Sequence, residues 1–277
     1  MSPRAAAAGP LAALLLALVA GPPAAAAPAP AASAPAVRAV EVEGTAFRLT
    51  LADGRVLRQE ELPGTILSLG DGPAHRRLLR IDAVERDPRD PRGEVVLYAL
   101  STRDPATGAW RDLCGPDPDG RRLGFPLAGA AAPDGRHVES PGRFRVTCTA
   151  GAEGKCVRLG YKPWRRLPDG TSLAPHHQAC VRLLRADYCG DGTGHTRDGT
   201  TVSIYDRVGI QADEPAPGMA FEAAWGPGGA VCVRRTRLPD VLAPDALAAS
   251  CPRLAGRLGD ACDEGAPALL YGRSHGR

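Results

Sequence analysis

Every cysteine of this 277-residue chain lies in its last two-thirds, behind an N-terminus with the anatomy of an export leader. The eight are Cys114, Cys148, Cys156, Cys180, Cys189, Cys232, Cys251 and Cys262. An exported chain enters an oxidising compartment where thiols are converted to disulfides, and an even count leaves none over. The expectation is a fold held by four structural disulfides that use all eight residues. Their pairing stays open, because eight cysteines allow on the order of 100 connectivities.

The leader has a positive charge at Arg4, an apolar core from Leu11 to Ala20, and small residues at Ala24, Ala25 and Ala26. That core is half the roughly 20 residues a membrane helix needs, so residues 1–27 read as a signal peptide. Residues 28–36 then form an Ala/Pro-rich tail of flexible or polyproline-like character. No cysteine precedes Cys114, which excludes a lipid anchor on an N-terminal cysteine, and no later stretch is apolar enough to span a bilayer. The location implied is periplasmic or extracellular. A net charge of +3, with arginines and acids interspersed, excludes nucleic acid as a partner and identifies no other.

Aromatic residues make up only 4% of the chain, so its core rests on Leu, Val, Ile and Ala, with disulfides compensating. From residue 37 to 113 short alternating runs are punctuated by turn dipeptides. Phe47, Leu49 and Leu51 alternate before Asp53-Gly54, and Val56-Leu57 follow, a hairpin pattern. Leu78 to Val84 and Glu94 to Leu100 make a second pair, and a further strand reaches Trp110. This is a β-rich module. From 114 to 277 glycine, proline and cysteine increase and strands become sparser. Phe144 to Thr149 reads as a strand, Phe221 to Trp225 with Ala230 to Arg235 as a hairpin, and Asp245 to Ser250 as a short helix. The fold class expected is α+β, mostly β: a β-rich N-terminal module and a disulfide-stapled C-terminal domain with one principal helix.

That helix starts after Ser172 as N-cap, tolerates Pro175 in its first turn, and runs to about Tyr188. At 100° per residue, His176, Cys180, Leu183, Leu184 and Asp187 share one arc, while Gln178, Arg182 and Arg185 lie opposite and are expected in solvent. Asp187 then points into the core, where a carboxylate needs partners. Cys180 and Cys189 would be about 13 Å apart along a helix, too far to bond to each other.

The run Arg185, Ala186, Asp187, Tyr188, Cys189, Gly190, Asp191, Gly192, followed by HTRDGT and by IYDRVGIQ (Ile204 to Gln211), resembles the signature of the ADYC-domain family of bacterial exported proteins. CTAGAEGKC and GYKPW upstream, and FEAAW with AVCVRRTR downstream, carry the resemblance further, over roughly Cys114 to Ser274. It implies a secreted, cysteine-rich domain of uncharacterised function and supplies no catalytic residues.

The residues themselves suggest three chemistries. Metal ligation by His176 with Cys180, or by His195 with Cys189, conflicts with oxidised cysteines and lacks CxxC or HExxH spacing. Counting Asp187 as position 1 places Asp191, Gly192 and Asp198 at positions 5, 6 and 12 of a calcium loop, but Cys189 occupies position 3 and the last ligand is a shortened Asp. No metal and no cofactor is therefore expected. A hydrolytic site would draw on His195 or His177 as base and Asp187 as its orienting acid, yet no nucleophile motif accompanies them. In GYKPW, Tyr161 and Trp164 could stack on a sugar ring, and packing of Trp164 against a disulfide is the favoured role. The function expected is a non-enzymatic binding or surface-associated protein; the alternative is a secreted hydrolase centred on Asp187 and His195.

Overall fold

The computed structural model describes residues 36–70 and 77–275; the expected signal peptide and nearly all of the Ala/Pro-rich tail lie outside the described residues. Three strands open the fold as a meander: β1 (Val37–Glu43), β2 (Ala46–Leu51) and β3 (Val56–Arg58). The alternation read in β2 is its burial pattern, with Phe47, Leu49 and Leu51 turned into the core.

A second, larger antiparallel sheet follows. Its members are β4 (Ile66–Leu69), β5 (Arg77–Arg86), β6 (Val96–Arg103), β7 (Trp110–Asp112) and β8 (Leu123–Ala128). After the small hairpin of β9 (Ala130–Ala131) and β10 (His137–Val138), β11 (Phe144–Cys148) completes it. The strand order is β11–β8–β6–β5–β4, with β7 paired beside β6. The change of texture at Cys114 thus falls inside one sheet, because β8 pairs with β6 at Tyr98 and Gly124. The described residues form one compact unit.

The helical layer consists of α1 (Ala152–Arg158) and α2 (Ala174–Arg185), clasped by the Cys156–Cys180 disulfide. A third sheet has the order β12–β15–β13–β14, from β12 (Val202–Asp206), β13 (Met219–Gly226), β14 (Gly229–Val233) and β15 (Leu270–His275). The short helix α3 (Pro244–Ser250) precedes β15. The architecture is strand-rich α+β, and α2 is the longest helix among the described residues.

The surroundings of α2 correct the helical projection. Gln178 and Arg182 are buried, not solvated. The Gln178 Oε1 accepts from the amide of His137 at 2.9 Å, and Arg182 donates to the carbonyls of Asp134 and Pro227. Loops and a hairpin cover the side of the helix that lies away from its apolar core contacts, so polar residues there find backbone partners in place of water. The helix also stops three residues earlier than expected: Ala186 takes a left-handed conformation, φ 51°, and ends it.

Two disulfides besides Cys156–Cys180 close, Cys114–Cys148 and Cys232–Cys262. Cys189 and Cys251 stand as thiols, so six of the eight cysteines expected in disulfides are bonded in this structure.

Candidate functional site

The ADYC signature builds a corner in which the Asp187 carboxylate and the Tyr188 hydroxyl are both engaged by the protein. The carboxylate of Asp187, fully buried, accepts from the Arg182 guanidinium, from the Gly190 amide at 2.8 Å and from the Gly192 amide at 3.0 Å. Because Ala186 has turned the chain, Asp187 faces back onto the helix end and gathers the loop that follows. Gly190 sits at φ 75°, and a Cβ there would meet the Gly228 carbonyl oxygen at 1.9 Å, so only glycine allows this loop to lie against the β13–β14 turn.

Tyr188 is the second anchor. Its hydroxyl donates to Glu222 at 3.0 Å and accepts from the Arg237 amide at 2.7 Å. Burial and the Glu222 charge drive its phenol well above the ordinary tyrosine range. Arg237 in turn donates from Nη2 to Leu183 O at 2.7 Å and from Nη1 to Leu184 O at 3.1 Å, covering carbonyls at the end of α2. FEAAW supplies Glu222 and AVCVRRTR supplies Arg237, so these separated segments meet as one buried ion pair.

GYKPW and IYDRVGIQ are joined as well. In IYDRVGIQ, Asp206 accepts from the amides of Val208, Ile210 and Gln211, and from the Tyr161 hydroxyl of GYKPW at 2.7 Å. Lys162 of GYKPW reaches Asp90 at 2.8 Å and Glu94 at 3.2 Å, tying the helical layer to the N-terminal strands. Trp164 does not stack on a disulfide. Its ring lies over Gly44 and packs with the core of the large sheet.

Asp187, His195 and His177 are not brought together. Both Asp187 oxygens are occupied as described, and the His195 ring stacks on Tyr188 with centroids 6.3 Å apart. His177 is enclosed elsewhere: Nδ1 lies 2.9 Å from the Tyr161 carbonyl, and burial lowers its pKa to about 4. Among the described residues no group of three or more His, Cys, Asp or Glu side chains has the geometry to hold a metal. Asp191 turns its Oδ1 to the Thr193 amide, an Asx-turn.

What the sequence reading missed is a cleft whose wall includes His137 of the β9–β10 hairpin. About 660 Å³ in volume, it lies between β1 at Val40 and Val42, the β8–β11 end at Leu127 and Phe144, and the Pro163–Trp164 step. Its polar lining includes His137 and Glu139. The Arg145 guanidinium, itself paired with Glu153, approaches His137 Nδ1 at 2.7 Å. Since arginine only donates, Nδ1 must accept, which leaves the imidazole proton on Nε2. Burial, with Arg145 beside it, lowers the pKa of His137 and keeps it neutral near pH 7. Of these lining residues only Trp164 stands out in the sequence as a candidate contact, and nothing in local spacing links it to Val40, His137 and Phe144.

Fold and site together define a disulfide-bonded, strand-rich protein whose motif residues form a buried polar framework. Residues 59–239, more than half of the chain, match the model of the ADYC domain family, and the chain belongs to that family. No curated protein matched the chain, and no solved structure did. No described helix is long and apolar enough to cross a membrane.

Proposed function

We propose that this is an exported, non-enzymatic binding protein of the bacterial envelope or cell exterior, and that its ligand occupies the cleft beside Trp164. The leader-like N-terminus and the three disulfides support export into an oxidising compartment. The observation that carries the binding reading is the contrast between two regions. The signature corner is filled by its own hydrogen bonds, whereas the cleft is concave, mainly apolar, and furnished with a few polar groups at its edge. Its size lies within the roughly 300–1,000 Å³ usual for small-molecule sites.

The walls specify a ligand class. Trp164 and Phe144 offer aromatic surface, Val40, Val42 and Leu127 offer aliphatic surface, and His137 contributes a neutral imidazole. A small molecule with a flat or apolar face and a hydrogen-bond acceptor fits that chemistry. The test is titration with the probe 1-anilinonaphthalene-8-sulfonate, which joins an apolar ring system to an anionic acceptor. Saturable binding to the native protein, weakened at least tenfold in Trp164→Ala with the melting cooperativity retained, supports the cleft. Binding of equal strength in the variant, or no saturable binding, removes it.

A further inference from the structure

Six cysteines are bonded, and the remaining two are not scattered. Cys251 is buried in the core around α2, and the partly exposed Cys189 packs against that same core. The two cysteines thus lie in one cluster, Cys251 inside it and Cys189 at its edge. Their backbones are held in register by Arg253, two residues beyond Cys251, whose Nε donates to Cys189 O at 3.0 Å and whose guanidinium also bonds the carbonyls of Tyr188 and Ala230. On the other flank the loop is fixed by the amide of Ala230 on Tyr188 O at 3.0 Å. Arg253 thus clamps the Cys251 segment, β14 and the signature loop at one point.

We propose that Cys189 and Cys251 are a dithiol that closes to a fourth disulfide by exchange with a small disulfide or a disulfide-donating oxidoreductase, locking the signature loop to the segment after α3. The reaction balances as two exchanges. The Cys189 thiolate, at the accessible end of the pair, attacks one sulfur of the donor RSSR and releases RS⁻. Cys251 then loses its proton and attacks the Cys189 sulfur, expelling the second RS⁻. Two protein thiols become one S–S bond, and the donor is reduced to two RSH. Burial and the neighbouring thiol push the Cys189 pKa up to about 12, so little thiolate is present near neutral pH and closure is slow without a catalyst. The closed bond spans about 60 residues, a long loop of the kind whose closure most restricts the unfolded chain.

The experiment uses the full mature chain with its three disulfides intact. It is incubated with oxidised glutathione, denatured, treated with an alkylating reagent, digested and read by mass spectrometry. The expected result is loss of two alkylatable thiols, appearance of a peptide pair linking Cys189 to Cys251, and a melting temperature raised by on the order of 10 °C. Protein isolated with that linked pair already present supports the proposal equally. Two thiols that remain alkylatable after prolonged exposure, a stable glutathione adduct on Cys189, or a linkage of either residue to another cysteine would overturn it. Cys189→Ser and Cys251→Ser provide the controls: each should leave one thiol and show no oxidation-dependent rise in melting temperature. A rise that persists in both places the stabilisation elsewhere and rejects the assignment.

Discussion

Glu222 and Arg237 meet in a two-pronged ion pair, Nε to Oε2 and Nη2 to Oε1, both at 3.0 Å, with neither side chain in contact with water. Burial makes such a pair worth little against an apolar replacement, but it makes the loss of one partner severe. Glu222→Gln keeps the shape and strands the Arg237 charge. Chemical denaturation should show a loss of about 3–5 kcal/mol. Tyr188→Phe removes one donor to Glu222 and one acceptor for the Arg237 amide, and should lose about 1–3 kcal/mol.

Asp187 is the second buried charge. Asp187→Ala leaves the Gly190 and Gly192 amides without their acceptor and deprives Arg182 of its carboxylate. Destabilisation of about 3–5 kcal/mol is expected, measured by urea unfolding with an unchanged m-value. The same saturation of Asp187 leaves no ligand position for calcium, so millimolar calcium should not move the melting temperature relative to a chelator.

Two glycines in the same region separate backbone conformation from space. Gly190→Ala adds strain at positive φ and a methyl group on top of the Gly228 carbonyl, and should abolish accumulation of folded protein. Gly199, at φ 82°, has nothing within 4 Å of a built Cβ. Gly199→Ala should cost only about 1–2 kcal/mol of left-handed strain. Parallel expression trials and melting curves compare the two.

His177 sets an acid limb. Burial holds its folded pKa at about 4, below the ordinary histidine value of about 6.5. Above the higher value both states are neutral and its contribution to stability is complete. As pH falls from about 6.5 to about 4 the unfolded chain takes up the proton first, and stability declines by about 3 kcal/mol. His177→Gln should flatten this part of the stability–pH curve, measured by denaturation at successive pH values.

Local order was legible wherever it arose from neighbours in sequence. Alternation at Phe47, Leu49 and Leu51 marked β2, and the apolar run before Trp225 with its glycine turn marked the β13–β14 hairpin. Periodicity also identified α2 and turned Asp187 inward. It failed at short elements that rely on distant support, among them α1, a seven-residue helix held by Cys156–Cys180, and β15, which is sandwiched between β12 and β13. A seven-residue helix carries too little periodic signal to stand out, and a strand such as β15, interrupted by Gly272, is stabilised mainly by its partners.

The sequence by itself determined the compartment expected, the mostly β composition, the principal helix and the signature that places the chain in its family. Those depend on residue type and on spacing over a few turns. Only the tertiary structure decided that FEAAW and AVCVRRTR meet through Glu222 and Arg237, that Gln178 and Arg182 are covered, that Arg253 ties the Cys251 segment to Cys189, and that Trp164 shares a cleft with Val40 and His137. Each of these is a contact between segments far apart in the chain, and it exists because burying apolar surface brings them together and obliges the polar groups carried inside to find partners.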